Sequence, residues 1–154
     1  MYLAVVLLTM LVLPLGSMAA EHTLNGAAPL MALAGKWFVF WSVGVRLGLA
    51  GLRQFFQPRF TTRTIFGIEG DEALPLAREL GVANLATGLV GLLSLARPGF
   101  VLPVAISAGL FYGAAGVQHL IERPRTLNEA ITMVSDLWIF VCRGGGRVVW
   151  PAAH

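Results

Sequence analysis

Apolar residues along this chain gather into five runs separated by short polar stretches. The first, "YLAVVLLTMLVLPLGSMAA" at 2–20, predicts a helix interrupted at Pro14. The second extends from Lys36 to Leu52, the third over 80–96 and the fourth over 100–120. A spanning helix needs about 20 residues, with about 17 to 25 observed. The fifth run, "AITMVSDLWIFVC" at 130–142, is short by itself. Thr126 and Glu129 ahead of it have the spacing of a capping box, which predicts a helix start just after Thr126 and lengthens the run enough to span. The pattern predicts an all-α polytopic bundle: an amino-terminal transmembrane helix at 1–20, a four-helix membrane unit at 36–142 and a loose tail at 143–154. Residues 1–20 carry no basic start, and their apolar run exceeds the usual signal-peptide core of about 7 to 15 residues. The expectation is therefore a retained helix.

Composition agrees with a membrane setting. Of 154 residues, 56% are hydrophobic and only 12% charged, against roughly 25% charged in soluble domains. The net charge of +3 comes with scattered basic residues and no stripe, which argues against nucleic acid. Read as a topology signal, the loops at 53–79 and 122–129 hold six Arg, against four Lys and Arg at the opposite ends (Lys36, Arg97, Arg143 and Arg147). The positive-inside rule then places the amino terminus in the cytoplasm and the carboxy terminus outside, across the cytoplasmic membrane if the cell is bacterial. Within 53–79, Phe55, Phe56, Phe60 and Phe66 accompany the arginines, as in a segment lying along the membrane surface.

Helix packing is anticipated from small residues, which let backbones approach where lipid offers no hydrophobic drive. Gly44 and Gly48 form one GxxxG pair, Gly109 and Gly113 another, and Gly88 with Gly91 gives the third run a small face.

The candidate site begins with Arg46, about 10 Å deep if Arg53 marks the boundary. Burying that charge costs about 2.5 to 3.5 kcal/mol on insertion scales, and guanidinium does not escape by deprotonation. Asp136 in the fifth run lies about 13 to 15 Å from the same surface and is the expected partner. Asn84, with Ser135 and Thr87, extends the cluster, and Glu79, Gln118 and His119 fall at the same interface. An Arg–Asp pair that only joins two helices and a functional site stand as equal readings.

Other chemistries find little support. The lone Cys142 cannot form an internal disulfide or a thiolate site, and no metal-ligand spacing occurs. His22 and His119 sit at opposite depths, unsuited to joint haem ligation. "RGGGR" at 143–147 lacks the surroundings of a phosphate loop.

Taken together, "VGVRLGLAGLRQ", "RELGVANLATGLVGLLSL", "GLFYGAAGVQHL" and "NEAITMVSDLWIF" resemble the four helices of DoxX-like membrane proteins over residues 37–142. The resemblance implies a four-helix core preceded here by one extra helix, with Arg46, Glu79 and His119 at the family's polar positions. It also implies links to quinone-coupled sulfur oxidation or to membrane complexes handling oxidative stress. The chain departs from that pattern in its long 53–79 loop, its extra helix and its lack of a cysteine pair. The leading expectation is an accessory or structural subunit, in contact with the bilayer and with a membrane-protein partner or a second copy. Its rivals are a quinone-linked oxidoreductase subunit, with quinone as cofactor, and a transporter or binder of a small lipophilic solute.

Overall fold

The computed structural model describes residues 2–26 and 28–122, which are all-helical with no strand among them. Four helices among them are long and apolar enough to cross a membrane: α1 (Ala4–Leu24), α2 (Leu30–Phe56), α3 (Leu74–Leu93) and α4 (Val101–Glu122), the last spanning as Pro98–Ala115 with the turn ahead of it. The chain is a multi-pass membrane protein with a helical-bundle fold. The expected fifth helix at 130–142 and the tail at 143–154 lie outside the described residues.

Prolines set the starts. Pro29 precedes α2, and its carbonyl accepts from the Ala32 and Leu33 amides. Pro75 and Pro103 sit in the first turns of α3 and α4, where a missing N–H costs no helical bond. These starts lengthen two helices beyond their apolar runs: α2 begins at Leu30 rather than Lys36, and α3 at Leu74 rather than residue 80. Pro14 is the interior case. Directly before it, Leu8–Val12 forms a π turn in which the Leu13 amide reaches back five residues to the Leu8 carbonyl. That wider turn is how α1 accommodates the proline's missing donor and its ring.

Three helices share one apolar core. Val6 and Met10 of α1, Val39, Val43 and Leu47 of α2, and Val101, Val104, Ala108 and Tyr112 of α4 pack together. Helix α3 stands outside that cluster and docks antiparallel on α2 through glycine. A Cβ on Gly88 would lie 2.6 Å from the Gly48 nitrogen, and one on Gly91 would lie 2.7 Å from the Gly44 nitrogen. Further along, a Cβ on Gly51 would meet the Gly81 carbonyl oxygen at 2.7 Å. The backbones touch, so only hydrogen fits.

The seam is longer than the expected GxxxG pair. It runs through Gly44 and Gly51 on α2 and through Gly81, Gly88 and Gly91 on α3, and Gly48 contributes its backbone. A Cβ on Gly48 itself would meet nothing within 4 Å, and the same holds for Gly109 of α4.

Between α2 and α3 the chain makes a built elbow. Helix α2 stops at Gln57 (φ −128°, ψ 54°), a single turn Pro58–Phe60 follows, and a π turn Thr61–Ile65 comes next. Pro58, Thr61 and Thr62 are buried, and the Ile68 amide closes onto the Thr62 carbonyl at 2.8 Å. Gly67 then takes φ +67°, a left-handed conformation that favours glycine.

Candidate functional site

Two belts fix the depth of α2 in the membrane. At one end Lys36, Trp37, Phe40 and Trp41 cluster, the rings of Phe40 and Trp41 meeting edge to face at 5.1 Å. At the other end the Arg53 guanidinium lies 3.6 Å from the centre of the Phe60 ring. Aromatic and basic residues of this kind favour the membrane–water interface. From Lys36 to Arg53 the helical rise gives about 25 Å, close to a hydrocarbon core of about 30 Å. Ser42 thus lies near the middle and Arg46 about 10 Å from the Arg53 end.

A polar node occupies that region. The π turn of α1 packs against a second π segment, Val39–Val45, in α2. In a π turn the usual amide four residues on no longer serves each carbonyl, so oxygens become available to side chains. Two are used here. The Ser42 hydroxyl donates to the Thr9 carbonyl at 3.3 Å, and the Tyr112 hydroxyl of α4 donates to the Ser42 carbonyl at 3.3 Å. Thr9 returns its own hydroxyl to the Val5 carbonyl at 2.8 Å. Helices α1, α2 and α4 are thereby linked through one buried chain of hydrogen bonds.

Arg46 follows the π segment directly, and its amide bonds to the Trp41 carbonyl. The residue is only 9% exposed, with its guanidinium carbon 5.2 Å from the centre of the Tyr112 ring. Stacking on an aromatic face stabilises a desolvated guanidinium. Asn84 on α3 is 6% exposed and donates to the Gln54 side-chain oxygen at 2.7 Å. That bond ties α3 to α2 beside the glycine seam. A third cluster closes the far end of the α1–α2 hairpin. There both Glu21 carboxylate oxygens accept from the Lys36 ammonium at 2.8 Å, one also accepts from the Trp37 indole at 2.7 Å, and the Trp41 indole donates to the Ser17 hydroxyl at 3.0 Å.

Of the sequence-predicted residues, Arg46 and Asn84 are buried between helices. Glu79 is exposed on α3. Neither Asn84, which turns to Gln54, nor Glu79 is joined to Arg46 by a hydrogen bond or ion pair. Thr87 bonds its own helix at the Ala83 carbonyl. Gln118 and His119 lie in the last turns of α4, and their side chains fall outside what is described; Ser135 and Asp136 lie outside the described residues altogether. Among the described residues no group of three or more His, Cys, Asp or Glu side chains could hold a metal ion.

Sequence reasoning missed Thr9, Ser42, Gln54 and Tyr112. The signals were present: Ser42 stands four residues before Arg46, and a tyrosine inside an apolar run requires a partner for its hydroxyl.

The bundle, its interfacial belts and its buried polar node define a polytopic α-helical membrane protein. It belongs to a family of unknown function, DUF6790, which it matches over residues 1–142. No curated protein and no solved structure matches the chain.

Proposed function

We propose that this protein is an accessory or structural subunit of a membrane complex, DoxX-like in arrangement over residues 37–142, rather than a catalyst. One observation carries the reading. Three polar side chains of the described bundle are directed at neighbouring helices: Ser42 to α1, Tyr112 to α2, and Asn84 to Gln54. Such bonds hold a scaffold in register and leave those groups engaged. The second reading, a quinone-linked oxidoreductase subunit or a binder of a lipophilic solute, draws on the Arg46 guanidinium stacked on Tyr112 inside the bundle.

Native mass spectrometry of gently extracted protein separates the two. A second polypeptide at fixed stoichiometry supports the subunit reading. One quinone or other lipophilic molecule per chain, with no polypeptide, overturns it in favour of the binder.

The proposed orientation puts the elbow in the cytoplasm and the α1–α2 loop outside. In a Cys142→Ser background, Arg63→Cys should react with an impermeant maleimide only in inverted vesicles and His22→Cys only in intact cells. The reverse pattern refutes the orientation.

A further inference from the structure

The elbow between α2 and α3 has a surface that the subunit reading does not use. Residues 53–66 contain three arginines and no acidic residue. One of the three is already answered: Arg59 pairs with Asp71 at 2.8 Å. Among the described residues Arg53 and Arg63 form no ion pair, and both are exposed. Arg53 is held in place by its stack on Phe60. Around them Phe55, Phe56 and Phe66 present their rings outward, Phe56 at 72% exposure.

We propose that this elbow is a binding surface for anionic phospholipid headgroups. The partner follows from charge complementarity at a defined depth. Exposed phenyl rings on a segment lying along the membrane surface bury themselves at the headgroup–acyl boundary, and the guanidiniums beside them meet phosphate oxygens in the two-pronged geometry that arginine favours. Zwitterionic lipid offers the same phosphate with a compensating amine, so net charge makes the distinction. The buried Thr61 and Thr62 and the Ile68–Thr62 backbone bond give the surface a fixed shape before any lipid arrives. Beyond Gly67 the chain reaches Glu69, Asp71 and Glu72, of which Asp71 returns to pair with Arg59, while Arg53 and Arg63 stay outside any ion pair among the described residues.

A basic residue near an anionic surface is worth about fivefold in lipid preference, so two give about 25-fold. The experiment is native mass spectrometry of the full chain in micelles holding equimolar phosphatidylglycerol and phosphatidylcholine. The wild type should retain the anionic lipid about 25-fold over the zwitterionic one. Arg53→Gln with Arg63→Gln should bring the ratio near unity, whereas Arg53→Lys with Arg63→Lys should keep most of it. Arg97→Gln, on the turn before α4, should leave it unchanged. Equal retention of the two lipids by the wild type overturns the proposal, as does an unchanged preference in the double glutamine variant. So does displacement of the lipid by inorganic phosphate, or a polypeptide protecting the elbow in its place.

Discussion

Replacing Gly88 by alanine tests whether backbone contact holds α3 to α2. The added methyl would stand 2.6 Å from the Gly48 nitrogen, 2.9 Å from its Cα and 3.1 Å from the Gly44 oxygen, where ordinary contact begins at 3.4 Å. Backbone cannot move aside as a side chain would, so the helices must part by about 0.8 Å, a gap that forfeits between a quarter and a half of each contact energy across the seam. With roughly twenty close atom pairs at about 0.15 kcal/mol each, the dispersion loss is about 1 kcal/mol. Asn84 lies one turn from Gly88, and its 2.7 Å bond to Gln54 stretches with the same movement, adding about 1 kcal/mol. The sum, about 2 kcal/mol, falls within the range for overpacked interiors. Equilibrium unfolding in mixed micelles should show it as a shift of about thirtyfold in the folded ratio. Gly48→Ala is the control, because its methyl meets nothing within 4 Å; it should be neutral or should gain up to about 1 kcal/mol from helix propensity. If Gly88→Ala proves as stable as Gly48→Ala, the seam argument fails.

Three further outcomes are expected. Asn84→Leu and Gln54→Leu should each lower stability by about 1 to 2 kcal/mol, and the double variant should recover part of the loss, because each single change strands its partner's amide, buried at Asn84 and half-buried at Gln54; additive losses would deny the bond. Arg46→Ala and Asp136→Ala should behave in the same way if the pairing expected from their depths is made, each costing about 3 kcal/mol or more alone because one buried charge is left behind. A double variant no better than the sum of the singles removes that pairing. Glu21→Gln should lower stability by under about 1 kcal/mol, with a smaller loss at high salt, since it removes a partly exposed ion pair and keeps an acceptor for the Trp37 indole. A loss independent of salt would assign the effect to the indole bond.

The helical class was legible because apolar run lengths report membrane thickness directly. Helix starts were less so. Residues 74–79 mix Pro75, Arg78 and Glu79 with apolar residues, so hydropathy has already fallen where α3 begins, whereas 30–35 (LMALAG) are apolar throughout and the start of α2 was readable from Pro29 just ahead of them. The glycine seam was half legible. A search at spacing four finds Gly44 and Gly48, whereas the contact repeats at seven, from Gly44 to Gly51 and from Gly81 to Gly88, as antiparallel helices returning to one face every two turns require. Gly51 and Gly81 were readable by that longer period. Within the site, Arg46 and Asn84 stood out as polar residues in apolar runs, but Gln54 was assigned to the loop because α2 continues past Leu52. The π segments left no mark in the pattern beyond Pro14, since they arise from how α1 and α2 meet.

Helix α2 is the element on which α1, α3 and α4 all lean, and it follows α1 directly along the chain. Helix α1 therefore has its partner as soon as α2 enters the bilayer, and Glu21 can take Lys36 and Trp37 across a loop of five residues. Helix α3 arrives to a glycine face already in place, and α4 to a core that lacks only Tyr112 and its neighbours. Among the described helices each later one docks on a face already in place, so these four can assemble in the order of translation, with the hairpin α1–α2 as the template on which α3 and α4 are laid.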